Sequence, residues 1–186
     1  MIQDRRSKKV ILVSHCLLNQ NSVVYGLAKR PSMVKELIDL LHELNIGIVQ
    51  LPCPETLHLG LRRFWQVREQ YDTQGFRELC REVLKYIITY VREYLVNGYE
   101  VVGVIGIAGS PSCGIHHTSS GNWRGNPLSA TEPKRVRGMG VFMEELLSSL
   151  RESGLVSKLS RFKLLEFDYD KPQESLKRIR EELRGS

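Results

Sequence analysis

Two kinds of hydrophobic pattern alternate along this chain. Short apolar runs fall at residues 10–13, 46–51 and 101–108, and a further strand, FKLLEF, is predicted over 162–167. Runs of that length, bounded by turn formers and without polar alternation, predict strands buried on both faces, as in a parallel sheet covered by helices. Between them the apolar positions recur every three or four residues. Val34, Leu37, Ile38, Leu41 and Leu44 predict a helix over 32–44. Phe76, Leu79, Cys80, Val83, Leu84, Ile87 and Val91 predict a longer one, capped by Asp72 or Thr73 and stopped near Asn97 and Gly98. Further helices are predicted over 140–152 and 172–183. This alternation predicts an α/β fold, a Rossmann- or flavodoxin-like three-layer sandwich with a mainly parallel central sheet. No repeat, linker or low-complexity stretch interrupts it, so residues 1–186 are expected to form one domain.

Two stretches fit neither pattern and are expected to be functional loops. The first follows residue 53 and reads PETLHLGLRRFWQVREQYDTQGF. Its Phe64, Trp65 and Tyr71 either wall a pocket for a flat ring or cap the core, and Arg62, Arg63 and Arg68 are either surface charges or anion contacts. The second, residues 110–137, carries His116, His117, Ser119, Ser120 and Trp123, polar and aromatic content of the kind that closes over a substrate. Adjacent histidines have poor spacing for a shared metal.

Composition narrows the class. The 186 residues are 41% hydrophobic and 26% charged, with a net charge of +6, which describes a soluble globular protein. Basic residues are spread over 5–9, 62–68, 134–137 and the last helix, where acids interleave; a solvated surface accounts for most of this, and a nucleic-acid partner is not expected. No apolar stretch approaches the roughly 18 residues of a membrane span, and no signal-peptide core precedes the first strand, so a cytoplasmic protein without membrane contact is expected.

The cysteines carry the chemistry. Cys80 lies on the apolar stripe of the long helix, where packing is its expected role. Cys16, Cys53 and Cys113 each follow the end of a predicted strand. If those strands are parallel neighbours, about 4.8 Å apart, three thiols converge at the end of the sheet where open α/β folds bind ligands. Their separations match no zinc-finger spacing, and a closed zinc site needs a fourth ligand, for which His15 is the available candidate. A cubane iron–sulfur cluster explains three thiolates better: it leaves one iron without a protein ligand and open to substrate. The alternative, three inert cysteines, sits poorly with their P-C-P-E and S-P-S-C-G surroundings.

The elements VSHCLLN around Cys16, CPE from Cys53 and GSPSCG around Cys113 resemble the thiouracil desulfidase (TudS-like) family over residues 10–114. That resemblance implies a compact α/β fold and a [4Fe-4S] cluster on Cys16, Cys53 and Cys113. It also implies non-redox, hydrolytic removal of sulfur from a small thiolated compound, a heterocycle or nucleotide, with release of hydrosulfide. On this reading Glu55 is the general acid or base, and Ser112, with Ser110 as second choice, hydrogen-bonds the leaving sulfur or the ring. The segment TLHLGLRRFWQVREQYD stands where the family has a Gly-rich stretch with Pro-Thr-Pro-Arg, which leaves the substrate open. Competing classes are a sulfur-transfer protein that carries sulfide on a three-cysteine cluster, a non-catalytic metal-binding protein and a thiol redox sensor. The first would be marked by an SGGxDS loop, which the chain lacks.

Overall fold

A computed structural model describes residues 4–185 of the chain. In chain order the elements begin with β1 (Lys9–Val13), the single turn α1 (His15–Leu18), α2 (Lys35–Glu43) and β2 (Gly47–Gln50). The short helices α3 (Pro54–Leu59) and α4 (Arg68–Tyr71) and the long α5 (Gln74–Val96) lead to β3 (Glu100–Ile107). Strands β4 (His117–Ser120) and β5 (Lys134–Arg137), then α6 (Val141–Glu152), β6 (Lys163–Phe167) and α7 (Pro172–Arg184), complete the chain.

Strands β2, β1, β3 and β6 form one all-parallel sheet in that order. Side chains alternate across it, as the pleat requires. Val10, Leu12 and Val104 face the layer of α5 and α6, where they meet Phe76, Leu84 and Phe142. Ile11, Val13 and Ile105 face α2 and α7, against Leu37, Leu41 and Ile179. The result is the three-layer α/β sandwich that the hydrophobic pattern predicts. The central strands β1 and β3 are buried in their interiors, β6 at the other edge is half-buried, and β2 is the most open: residues 47–50 are largely exposed, with the flanking Ile46 and Leu51 buried. The reason is position, since β2 is an edge strand with a neighbour on one side.

Both irregular stretches contain regular structure. The first holds α3 and α4. The second folds into an antiparallel hairpin in which Thr118 pairs with Val136, and its outer strand, KRVR, is exposed at every position. Strands so polar carry no apolar run, so the pattern rule is blind to them.

The connection from β1 to β2 runs through α2 on one face, and that from β2 to β3 runs through α5 on the other. The strand order therefore reverses between β1 and β3. Beyond the carboxyl ends of those strands lies the crevice where doubly wound sheets bind ligands.

Candidate active site

Each predicted cysteine ligand sits on a loop leaving one of three adjacent strands. After β1 the chain turns through α1 and a 3-10 turn, which brings Ser22 Oγ back to 3.4 Å from Cys16 Sγ. After β2, Cys53 is the N-cap of α3, with Pro54 in the first helical turn; its sulfur accepts from the Thr56 N–H at 3.4 Å and the Thr56 hydroxyl at 3.2 Å. After β3, the SPSCG loop is held at both ends. The Cys113 N–H donates to Ser110 Oγ at 2.9 Å, and the Ser112 carbonyl accepts from Phe142 N at 3.0 Å, at the start of α6. Glycine is required for this approach: a Cβ on Gly140 would collide with the Ser112 carbonyl, and one on Gly106 with the carbonyl of Cys113.

The three thiols are free and electrostatically linked: Cys16 feels both of the others, and Cys113 feels Cys53. A hydrogen bond from Cys16 pushes the Cys53 thiol down to about 6, against burial and with help from Thr56. The same contact, then burial, pushes Cys16 up; burial pushes Cys113 up. Cys80 is buried on α5 among apolar neighbours, as expected of a packing residue.

Glu55, in the first turn of α3, is buried beside the thiols. Ser112 Oγ donates to its Oε1 at 2.6 Å, and Arg63 Nε donates to its Oε2 at 3.1 Å. Ser112 Oγ also lies 3.5 Å from Cys113 Sγ and 3.4 Å from Ser110 Oγ. Pattern reasoning did not single out Arg63, whose side chain is only 1% exposed. Its remaining N–H groups reach Thr56 Oγ1 at 3.3 Å, the Gly60 carbonyl at 3.2 Å and the Ser22 carbonyl at 2.8 Å. Ser22, Thr56 and Ser112 are the residues whose hydroxyls approach Cys16, Cys53 and Cys113. Arg63 touches the first two and reaches the third through Glu55.

A cavity of about 190 Å³ opens beside this cluster, lined by Cys16, Glu55, Ser110 and Trp65 together with Ser119 and Tyr169. Of the aromatic residues in the first irregular stretch, only Trp65 walls it, with its ring edge-to-face on Trp123 at 5.5 Å. Phe64 is 86% exposed, whereas Tyr71 is buried against Phe76 and serves the core. Arg62 is exposed, and Arg68 ties α4 to α6 through Glu144.

The candidate histidines have partners of their own. His15 Nδ1 pairs with Gln50 Nε2 at 2.7 Å. His117 Nδ1 meets Glu166 Oε1 at 2.6 Å, and the other oxygen of Glu166 accepts from the backbone N–H groups of Ile115, His116 and His117. They fasten the hairpin to β6. Among the described residues, no three His, Cys, Asp or Glu side chains close on a point fit for a single ion. The donor set is instead three free thiols on three strand ends with a hydroxyl beside each. That set suits a cluster, which takes one thiolate per iron atom.

Fold and site together define a doubly wound α/β protein with a thiol triad and a buried carboxylate at its switch point. The chain belongs to the family described as "Putative 2-thiouracil desulfurase", whose profile matches residues 8–185. It is 33% identical over 174 residues to "Uncharacterized protein MJ0003" of Methanocaldococcus jannaschii, an alignment that covers 94% of this chain and 98% of that one. Among solved structures, it is similar to the [4Fe-4S]-dependent thiouracil desulfidase TudS, with a TM-score of 0.49 and 20% identity over 92% of this chain and 97% of the other. The family expected from the cysteine motifs is thus the family found. Among the described residues, no helix is long and apolar enough to cross a membrane.

Proposed function

We propose that residues 1–186 act as one desulfidase domain that hydrolyses the thiocarbonyl of a small thiolated compound, with a [4Fe-4S] cluster held by Cys16, Cys53 and Cys113. The reaction exchanges sulfur for oxygen: the C=S carbon and water yield C=O and hydrogen sulfide, released as hydrosulfide, with no net redox change. The observation that carries this reading is the Glu55–Ser112–Arg63 cluster buried between the thiol triad and the cavity. A site that only stored metal would have no use for a carboxylate oriented at both oxygens.

The chemistry such a cluster supplies is Lewis-acid polarisation of the C=S bond at its iron without a protein ligand. The protein does the rest. Glu55, at the cavity wall, takes a proton from the attacking water and returns it to the departing sulfur. Ser112 and Arg63 hold the two carboxylate oxygens in register for that transfer. Ser110, which lines the cavity and contacts Ser112, hydrogen-bonds the sulfur or the ring. Val24, Leu27 and Ile107 keep bulk water from the reacting carbon.

The test is anaerobic purification or reconstitution followed by iron, labile-sulfide and absorption analysis of the wild type and Cys113→Ala, then a hydrosulfide assay with 2-thiouracil. About four irons per chain are expected, lost in the variant, with hydrosulfide release that Glu55→Gln reduces at least a hundredfold at unchanged iron content. Stoichiometric zinc, or metal-free thiols that fail to take up iron, would reject the reading. A sulfur-transfer protein would instead load extra sulfide and pass it to an acceptor, without dependence on Glu55.

A further inference from the structure

Two hydroxyls in the cavity wall have hydrogen-bonding capacity that the protein leaves unused. Ser119, on β4, is 8% exposed and lines the cavity, yet its Oγ is buried without a partner. Buried polar atoms are nearly always paired, so an orphan on a residue that lines a cavity points to a ligand. Tyr169, just beyond β6, supplies the second. Its ring is fixed edge-to-face on Phe167 at 5.3 Å and its oxygen by Gln20.

The orientation of Gln20 decides what the tyrosine can do. Gln20 Oε1 accepts from the backbone N–H groups of Lys29 at 3.1 Å and Arg30 at 3.2 Å, which identifies the other atom as the amide nitrogen. That nitrogen has two protons. One goes to the Cys16 carbonyl and the other to the Tyr169 oxygen, both at 2.6 Å. Tyr169 is therefore an acceptor towards Gln20, and its own proton is free for the cavity.

We infer that Ser119 and Tyr169 are the specificity-determining contacts for the substrate ring: Tyr169 donates to an oxo group on the ring, and Ser119 pairs with a ring N–H. The inference takes the identity of the ring from the desulfidase reading and adds how the ring is recognised. Val24, Leu27 and Trp65 line the same cavity and offer a flat heterocycle apolar contact. Among the described residues the cavity wall holds one cation, Arg63, and four of its five N–H groups already go to Glu55, Thr56, Gly60 and Ser22. The selected substrate is thus a thiolated ring that also carries an oxo group, and its recognition needs no phosphate.

The test uses the cluster-loaded protein and two unreactive probes, uracil and 2-hydroxypyrimidine, which lacks the second oxo group. Affinities are measured anaerobically by calorimetry. The wild type should bind uracil about tenfold more tightly, the value of one well-placed hydrogen bond at the upper end of its range. Tyr169→Phe, which keeps the ring on Phe167, should bring the ratio close to one. Ser119→Ala should weaken both probes about three- to tenfold, with iron content as in the wild type. The ratio is measured within one protein, so partial unfolding does not change it. A wild type that does not discriminate, a ratio preserved in Tyr169→Phe, or unchanged affinities in Ser119→Ala would each overturn the inference. If the predicted ratios are found but no thiolated ring releases hydrosulfide, the recognition site stands and the desulfidase reading falls. If 2-thiouracil is turned over with an unaltered KM in both variants, the reverse holds.

Discussion

Arg63 makes four hydrogen bonds from a side chain that is almost wholly buried, and its charge is balanced by Glu55. A buried pair of this kind costs desolvation of both ions, so its presence is no argument for stability; its loss is another matter. Removing the guanidinium strands Glu55 and frees the carbonyls of Ser22 and Gly60. We expect Arg63→Ala to lower unfolding free energy by about 3 kcal/mol or more, measured by urea denaturation of the iron-free protein. Arg63→Lys keeps the charge but not the planar fork, and should recover only part of that loss. A variant as stable as the wild type would mean the hydrogen bonds are replaceable by water. In sequence Arg63 cannot be told from its neighbours Arg62 and Arg68. The three diverge because only the first points its guanidinium into the crevice, which depends on how α3 and α4 pack. Glu55 was legible because it lies two residues from Cys53 in the CPE element; Tyr169, distant from every cysteine in sequence, was not.

At the scale of elements, the loop carrying Cys113 depends on how closely it packs on β3 and α6. Gly106→Ala would press a methyl group onto the Cys113 carbonyl. The expected cost is about 1–3 kcal/mol, with iron uptake reduced because the thiol moves. Gly75→Ala provides the contrast. It lies in the first turn of α5 with nothing within 4 Å of the added carbon, so the same substitution there should stabilise the protein by about 0.5–1 kcal/mol. Thermal or urea unfolding of the pair checks both signs. A further element-level prediction concerns the cap of α5: Thr73 Oγ1 accepts from the Phe76 N–H at 3.3 Å, and Thr73→Ala should cost about 1 kcal/mol. That cap was readable from the sequence, because a Thr before an apolar stripe of helical spacing is a start signal. The β4–β5 hairpin was not, since HTSS and KRVR have no hydrophobic period and pair by backbone hydrogen bonds alone.

For the whole molecule, ion pairs join the layer that supports the site. Arg68 and Arg77 bridge Asp72 and Glu144, and Arg77 and Arg81 reach Glu145, tying α4 and α5 to α6. The same α6 holds the SPSCG loop by its first turn. The Asp72 carboxyl is kept below its ordinary 3.8, chiefly by the hydrogen bond from Arg77. At Glu166 burial acts upward, but the hydrogen bonds from His117 and the adjacent backbone outweigh it and hold the group below 4.5. A carboxylate depressed by folding stabilises the protein above its unfolded pKa, and the contribution is lost as pH falls through the folded value. These carboxylates should therefore make the midpoint of urea unfolding fall as pH drops below about 4.5. Asp72→Asn should flatten that fall, and a midpoint independent of pH down to 3 would show that the network contributes nothing measurable.

What the sequence determined by itself was local: three apolar runs and a fourth, mixed strand, four amphipathic helices, and a cysteine after each of three strands. Hydrophobic period and turn chemistry act over a few residues, and they are written in the order of the chain. Strand order, the edge position of β2 and the crevice between β1 and β3 were decided by packing, because a parallel sheet joins residues separated by whole helices. So were the partners of the thiols. Ser22, Thr56 and Ser112 meet Arg63 and Glu55 only once three loops are gathered at one end of the sheet, and the unused hydroxyls of Ser119 and Tyr169 acquire meaning only as walls of the same cavity. Hydrogen bonding is short-ranged and directional, so its pattern follows from the final arrangement in space and leaves little trace in the spacing of residues.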